Sequence, residues 1–341
     1  MTDYQAEKQA VRACQAALDG AAPGRCAQAM AAHVAPDLDW RGMHPFNEIT
    51  GAEAVAETVW EPLKRAFDGR WQRRPDIFIA GPSAHGQTGA VWVAEMGHLM
   101  GNWMQDWLDI PATRQLAFLR YTEWSRVENG RIVQSALFCD ILGMMRQAGV
   151  IAVPQQTGQF IVPAPGPRGG GGLLYDRQDP EPGARTLYWI DRMCSNINVD
   201  RAKFASFEDE LADTWTRDMI WSGPTGIGAS YTIPRYIEQH SGPFRARLHD
   251  RAFIGHLARI GEGHFGGFFG WPNLSLRNAG GYMGQPENDV QAQMRVVDMY
   301  RRDGDKLAEN WIFIDMLHYL KMQGLDVLER MRRDLGKGGA L

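Results

Sequence analysis

The sequence predicts an α+β fold built as two tandem copies of one unit of about 140 residues. Three observations lead to this prediction. Helical patterns precede hairpin-forming strands in the first 150 residues, a segment rich in proline and glycine follows, and the same order then returns. Helices followed by a run of antiparallel strands are typical of α+β domains. We therefore divide the chain into domain 1 (residues 1–150), a linker (151–185) and domain 2 (186–335).

Helical patterns open each domain. In domain 1, Val11, Cys14 and Leu18 recur at the spacing of one helix face. Thr50 and Glu53 have the pattern of a capping box, which predicts that a further helix begins there. The predicted helices cover 4–19, about 24–35 and 50–67 in domain 1, and 186–198 and 200–213 in domain 2.

Alternating or continuous apolar runs predict the strands. Asn129 and Gly130 form a strong hairpin turn between two of them. The predicted strands cover 36–42, two segments within 75–96, 98–109, 115–127 and 131–140, with 216–223 as the counterpart of 36–42 in domain 2.

An internal repeat supports the division into two domains. Adding 181 to the residue number (218 − 37) maps Asp37, Trp40, Gly42 and Pro62 onto Asp218, Trp221, Gly223 and Pro243. Near the end of each half the offset is 175 (315 − 140), and it maps Arg120, Phe138, Asp140 and Gly149 onto Arg295, Phe313, Asp315 and Gly324. The matches fall on turns, on a pair of long strands and on one acidic residue, which indicates a duplication.

Composition excludes several classes of function. A net charge of −4 gives no electrostatic basis for binding nucleic acid or an anionic membrane. The sequence has no apolar run of the roughly 18 residues that a membrane-spanning helix needs and no signal-peptide core, so we expect a cytoplasmic protein. Its four cysteines are far apart and its histidines lack metal-ligand spacing, so we expect neither a disulfide nor a metal site.

Asp315 and Asp140 are the predicted catalytic residues. Each ends an apolar strand and precedes an amphipathic helix, and alternation places Asp315 on the same face as Trp311 and Phe313. An aspartate on an apolar face is costly unless it is bonded or protonated, which favours a functional role. The alternative is that each aspartate caps the helix that follows it.

Several motifs carry a resemblance to a known family. They are W-x-G-P at 221–224, M-R-x-x-D-x-Y-R at 294–301, E-N-W-x-x-x-D at 309–315 and, more weakly in domain 1, I-P-x-T at 110–113 and N-G-R-I at 129–132. With them the chain resembles the SnoaL-like polyketide cyclases of the nuclear transport factor 2-like superfamily, in two tandem copies. The resemblance implies two cone-shaped, cystatin-like domains, each with a curved mixed sheet around helices and a hydrophobic pocket in its mouth.

The same resemblance implies a chemistry. In the cyclases, the aspartate matched by Asp315 and Asp140 is a general acid/base in an aldol ring closure that needs no cofactor. We therefore expect a cofactor-independent cyclase, isomerase or lyase acting on a hydrophobic carbonyl compound. Two alternatives stay open: a hydrolase of the epoxide-hydrolase type, and a non-catalytic binder of an apolar small molecule.

Eight further residues are predicted to contact the substrate. They are Trp221, Asn278, Tyr282, Arg295 and Trp311 in domain 2, and Trp40, Trp103 and Arg120 in domain 1. The two arginines have a structural alternative, which is pairing with acids such as Asp298 and Glu123. The family carries G-T-H ahead of its long strand, whereas this chain has Gly-Asn-Trp at 101–103 and Leu-Arg-Asn at 276–278, and His264 is a candidate for the missing histidine.

Single cones of this family often form dimers through their sheets. We therefore expect the two halves of this chain to pack on each other as an intrachain pseudo-dimer, and a homodimer of the whole chain is also possible on this basis.

Overall fold

The computed structural model describes residues 3–154, 157–198 and 203–337. Two tandem α+β domains are present, as predicted, and each contains one mixed sheet with helices packed on one of its faces. The helices of domain 1 are α1 (Gln5–Gly20), α2 (Cys26–Ala31), α3 (Ala52–Val55), α4 (Glu61–Ala66) and α5 (Ile141–Gln147). Those of domain 2 are α6 (Pro180–Asn198), α7 (Phe207–Thr214), α8 (Ile233–Tyr236), α9 (Gly242–Arg247), α10 (Met316–Met322) and α11 (Val327–Asp334).

The sheet of domain 1 has six strands in the order β2-β1-β6-β5-β4-β3. They are β1 (Val34–Gly42), β2 (Asn47–Thr50), β3 (Gln72–Pro82), β4 (Val91–Asn102), β5 (Leu116–Glu128) and β6 (Arg131–Cys139). Only the pairing of β1 with β6 is parallel within this sheet. Because β4 runs unbroken from Val91 to Asn102, the separate strand predicted over 98–109 is wrong.

The sheet of domain 2 repeats this topology in the order β10-β11-β12-β13-β7-β8, with β9 also paired to β11. Its strands are β7 (Trp215–Ser222), β8 (Ala229–Tyr231), β9 (Leu248–Phe253), β10 (Ala258–Glu262), β11 (Phe265–Asn278), β12 (Gln291–Asp303) and β13 (Lys306–Ile314). The bounds of β5, β6 and α5 shifted by 175 are those of β12, β13 and α10, residue for residue. The structure therefore contains the duplication that the sequence predicted.

The helix between the second and third strand of each domain contains a π-helical turn. In domain 1, Ala56–Trp60 joins α3 to α4, and in domain 2, Ile237–Ser241 joins α8 to α9. Gly51 precedes α3 and no side chain caps its first turn, so the predicted capping box of Thr50 and Glu53 is wrong.

The two sheets pack on each other face to face. A buried cluster contains Ile79, Trp92, Trp124 and Phe138 of domain 1 together with Phe269, Val297, Trp311 and Phe313 of domain 2. The opposite face of each sheet packs on the helices of its own domain in a second, larger cluster. Each sheet is therefore apolar on both faces.

The linker contacts both domains, and Gln159 forms an antiparallel bridge with Ala229 of domain 2. Leu173 bridges Phe78 in parallel, and Phe78 N–H donates to the carbonyl of Gly172 at 2.8 Å. Helix α6 begins at Pro180, inside the segment 151–185 that was predicted to be linker, because a proline in the first turn of a helix loses no intrahelical hydrogen bond. Among the described residues, no helix is long and apolar enough to cross a membrane.

Candidate functional site

A cavity of about 170 Å³ lies between the sheet and the helices of domain 2. Aromatic side chains form most of its wall, among them Trp221, Tyr236, Phe244, Phe253, Phe268 and Tyr300. Its polar lining consists chiefly of His240, His256, Asn273, Asp298 and Asn310. The described residues that line it include no lysine and no arginine, so the cavity suits a neutral and largely apolar molecule.

Asp298 is the acidic residue of this cavity. Its side chain projects from β12 toward the helices and is only 6% exposed. Asn310 on the neighbouring strand donates its amide N–H to the Asp298 carboxylate at 2.9 Å. Burial raises the pKa of Asp298 to about 7, because it outweighs the opposite effects of Asn310 and of the nearby Tyr300 hydroxyl. A carboxyl group in this state can both accept and donate a proton near neutral pH.

The equivalent position in domain 1 lies in a network of ion pairs. Glu123 corresponds to Asp298 at the offset of 175, and it lies 3.5 Å from the guanidinium of Arg73. The same guanidinium contacts Glu95 at 3.2 Å and Asp19 at 2.9 Å, and Tyr121 donates to Glu95. This buried network occupies the interior of domain 1, where the remaining cavity of about 20 Å³ is the size of a water molecule.

Strand register shows which residues differ between the two domains at the positions around the cavity of domain 2. Arg73 pairs with Leu99, and Leu99 corresponds to Leu274, whose partner is Phe253. Glu95 pairs with Glu123, whereas the partner of Asp298 is Phe268. The two charged residues of domain 1 therefore correspond to two phenylalanines that line the cavity, and among the described residues no cation pairs with Asp298.

Two histidines line the same cavity. His240 lies in the π-helical turn and stacks on Trp221, with ring centroids 4.0 Å apart. His256 stacks on Phe268 at 3.8 Å and accepts hydrogen bonds at Nδ1 from Arg259, of which that from Nε measures 3.1 Å. Burial lowers the pKa of both histidines to about 3, so both rings are neutral at physiological pH.

Asp315 and Asp140, the predicted catalytic residues, lie outside this cavity. Asp315 is fully buried at the contact between the domains, where Oδ1 accepts from His318 N–H at 3.1 Å and Oδ2 accepts from His44 N–H at 2.9 Å. Arg295 contacts Oδ2 at 3.3 Å. Burial raises the pKa of Asp315, and these hydrogen bonds and the cation oppose that rise. The geometry is that of the alternative role, a helix cap.

Asp140 makes the reciprocal contact. Its Oδ1 accepts from Gly143 N–H at 2.8 Å and caps α5. Its Oδ2 accepts from both the N–H and the hydroxyl of Thr225 at 3.0 and 2.8 Å. Thr225 is the residue of domain 2 that corresponds to His44 at the offset of 181. Each aspartate thus caps a helix of its own domain and holds a loop of the other.

The two predicted arginines also lie at this contact between domains. Arg120 donates to the carbonyl groups of Ser222 and Gly223 at 3.0 Å and stacks on Phe313. Arg295 donates to Asn47 at 2.8 Å and stacks on Trp271. Among the described residues neither arginine pairs with Asp298 or Glu123, but Arg295 pairs with another acid, Asp315, in keeping with the structural alternative.

The remaining predicted residues are divided among several places. Trp221 lines the cavity of domain 2, and Trp40 lines the small cavity of domain 1. Trp311 belongs to the cluster between the sheets, and Trp103 is buried in domain 1 with no hydrogen bond to its indole N–H in the described part of the chain. Asn278 and Tyr282 do not line the domain 2 cavity: the Asn278 side chain bonds the backbone at Gly280 and Pro286, and the Tyr282 ring packs edge-on against Phe244.

Sequence reasoning missed Asp298, His240 and His256 as cavity residues, and it named His264, which is exposed and does not line the cavity. One feature of the sequence could have indicated the cavity face of β12. Met294, Val296, Asp298 and Tyr300 alternate along β12, so their common face could have been recognised as apolar with one carboxyl.

No protein-family model and no curated protein matches the chain. Among solved structures, IdmH from Streptomyces antibioticus, a candidate polyketide cyclase, is 17% identical, and the match covers 42% of this chain and 97% of that one with a TM-score of 0.34. AclR from Streptomyces galilaeus, a candidate hydroxylase, is 16% identical, with 43% and 87% covered and a TM-score of 0.35. An NTF2-like protein from Burkholderia thailandensis is 23% identical, with 42% and 97% covered and a TM-score of 0.29.

Each of these matches spans less than half of this chain and most of the other protein. The names of these solved structures, polyketide cyclases and NTF2-like proteins among them, are those of the families that the sequence motifs resemble.

Proposed function

We propose that domain 2 is a cofactor-independent enzyme that moves a proton on a neutral, hydrophobic carbonyl compound, with Asp298 as the general acid/base. One observation carries the proposal: the Asp298 carboxyl lies in an aromatic cavity, accepts a hydrogen bond from Asn310 at 2.9 Å and pairs with no cation in the part of the chain that the structure describes. The predicted chemistry of a SnoaL-like cyclase, isomerase or lyase is kept, and the residue that performs it is moved from Asp315 to Asp298.

The chemistry follows from the state of this carboxyl group. As a carboxylate, Asp298 takes a proton from the carbon next to the substrate carbonyl, and the electron pair of that C–H bond moves into the enolate. As a carboxylic acid, Asp298 returns the proton to a second carbon, which completes an isomerisation. A pKa of about 7 populates both forms near neutral pH, and this is the condition under which one group serves as base and then as acid.

The cavity also limits the substrate. A volume of about 170 Å³ compares with the roughly 150 Å³ of an engineered cavity that binds benzene, so it suits a compound of one or two rings. Because no lysine or arginine lines it in the described part of the chain, carboxylates and phosphates would lose their hydration without gaining a partner.

A small β,γ-unsaturated ketone tests the proposal without knowledge of the natural substrate. Conversion of cyclohex-3-enone into the conjugated cyclohex-2-enone requires only the proton transfer described above, and ultraviolet absorbance follows it. We expect the protein to catalyse this reaction and Asp298→Asn to slow it by about 10²–10⁴-fold. Asp315→Asn, which alters the other predicted acid/base, is expected to retain most of the activity.

The outcome distinguishes the alternatives. Activity lost in Asp315→Asn and kept in Asp298→Asn would restore the original assignment. Binding of cyclohex-2-enone with no conversion of cyclohex-3-enone by the wild-type protein would favour a non-catalytic binder. Incorporation of labelled oxygen from water into an epoxide probe would favour a hydrolase.

A further inference from the structure

A loop of domain 1 forms hydrogen bonds with the segment of domain 2 that carries His256. Ala84 N–H donates to the carbonyl of Arg259 at 2.8 Å, and Gln87 N–H donates to the carbonyl of Leu257 at 3.1 Å. In return, Arg259 N–H donates to the Ser83 hydroxyl at 3.1 Å. Residues 83–87, which we call the grip loop, therefore set the backbone position of residues 257–259.

Gly86 allows this contact to be close. It has a φ of +66°, and a Cβ placed there would lie 2.3 Å from the carbonyl oxygen of Leu257 and 2.4 Å from that of His256. Real Cβ atoms do not approach backbone oxygens this closely. Any larger residue at position 86 must displace either the grip loop or the backbone at His256 and Leu257.

Arg259 fixes the tautomer of His256. Its Nε and Nη2 both donate to Nδ1 of the imidazole, and a guanidinium group has no acceptor. Nδ1 must therefore be the unprotonated nitrogen, so the proton of the neutral ring is on Nε2. Within the described part of the chain Nε2 has no hydrogen-bond partner, and the ring lines the cavity.

Domain 1 also reaches the far side of Arg259. The guanidinium forms a short ion pair with Asp191 of α6, and His85 of the grip loop lies with Nε2 3.4 Å from the same carboxylate. Arg259 is 4% exposed, so it has little freedom to leave this position.

We propose that His256 is a second catalytic residue of the domain 2 cavity, donating its Nε2–H to the carbonyl oxygen of the substrate, and that the grip loop of domain 1 positions it through Arg259. Phe268 is the cross-strand partner of Asp298 and stacks on His256, so the donor lies on the same wall as the base. The enolate formed when Asp298 removes a proton is then stabilised by an N–H that is in place beforehand. This inference rests on the proposed function, and it makes both domains parts of one site.

Isotope-edited infrared spectroscopy of bound cyclohex-2-enone, labelled with ¹³C at its carbonyl carbon, tests the hydrogen bond. We expect the carbonyl stretch to move to lower wavenumber in the wild-type complex, and this shift to be lost in His256→Phe and partly kept in His256→Gln, which retains an N–H. Conversion of cyclohex-3-enone should fall by about 10²–10³-fold in His256→Phe, the usual cost of removing one such donor.

The grip loop has a matched pair of variants. Gly86→Ala should lose most of the carbonyl shift, whereas Gly130→Ala should keep it, because Gly130 has a similar φ of +74° and a Cβ added there would have no heavy atom within 4 Å. Both substitutions carry the backbone strain of a positive φ, and only the first meets domain 2. In the wild-type protein, ¹⁵N shifts of His256 should show a proton on Nε2 and none on Nδ1, and this measurement needs no variant that must fold.

The results separate the two proposals. If cyclohex-2-enone binds with an unshifted carbonyl stretch, or with the same shift in wild type and His256→Phe, the role of His256 is overturned and the role of Asp298 stands. If Gly86→Ala matches Gly130→Ala, the positioning by domain 1 is overturned. If cyclohex-2-enone does not bind, the proposed ligand class of the cavity and this inference both fail.

Discussion

Replacing Asp298 with asparagine should stabilise the protein, and the gain should grow with pH. The folded state holds the proton of this carboxyl up to a pKa of about 7, whereas an unfolded aspartate loses it near 3.8. Between these values the folded state binds more protons than the unfolded state, so the free energy of unfolding falls as pH rises. Asparagine is close in shape and carries no charge to bury.

The magnitude follows from the two pKa values. Their difference, at 1.36 kcal/mol for each unit, corresponds to about 4 kcal/mol at pH 8. At pH 5 the same relation gives about 2 kcal/mol, because most of the folded protein is then still protonated at Asp298. The difference in unfolding free energy between Asp298→Asn and wild type should therefore increase by about 2–3 kcal/mol from pH 5 to pH 8.

Urea unfolding monitored by tryptophan fluorescence at several pH values measures this difference. Asp303→Asn is the matched control, since it makes the same exchange on the same strand at an exposed position. The free energy of unfolding of Asp303→Asn should differ from that of wild type by the same amount at every pH. A constant difference between Asp298→Asn and wild type from pH 5 to pH 8 would refute the reasoning, because it would mean that Asp298 is not protonated in the folded state.

Three further predictions concern the rest of the fold. Asp315→Asn should lower the unfolding free energy by about 1–3 kcal/mol, because an amide N–H₂ would then face the His44 N–H, and an unchanged urea midpoint would contradict this. Gly267→Ala should cost about 1–3 kcal/mol or more, since its Cβ would lie 2.4 Å from the Asp298 carbonyl oxygen and 2.8 Å from Met299 Sδ, whereas Gly20→Ala, with nothing within 4 Å, should be tolerated. Thiol reagents at pH 8 should leave Cys14 and Cys26 unmodified in the folded protein, because burial raises the pKa of each thiol to about 12, and rapid labelling of either would show that its core opens.

Much of the fold could be predicted from the sequence. The repeat offsets of 181 and 175 identified the duplication because loops of unequal length separate otherwise matching elements. The hairpin at Asn129 and Gly130 was found because only a few residue pairs adopt the turn it requires. The unbroken β4 was missed because its end depends on pairing with β5 and not on local sequence. The early start of α6 was missed although Pro180 is a favourable first helical residue.

The site was harder to predict for a specific physical reason. In the segment 309–315, alternation correctly placed Trp311, Phe313 and Asp315 on one face. That face meets the other domain, and Ile312 and Ile314 on the opposite face line the cavity. Since both faces of the sheet are apolar, hydrophobic pattern alone cannot identify which one surrounds a ligand. The histidines were missed because His240 and His256 come from separate elements that only the fold brings together.

The reciprocal contacts between the two halves have a consequence for which substitutions this chain can accept during evolution. In an assembly of two identical subunits, any substitution is made twice, so a mutation that fills the cavity of one subunit also fills the cavity of the other. Covalent fusion removes that constraint, so one half can hold Arg73 and Glu95 while the other holds Phe253 and Phe268 at the corresponding positions. Because Asp140 and Asp315 each accept hydrogen bonds from the other half, loss of either half would leave these acceptors without those partners.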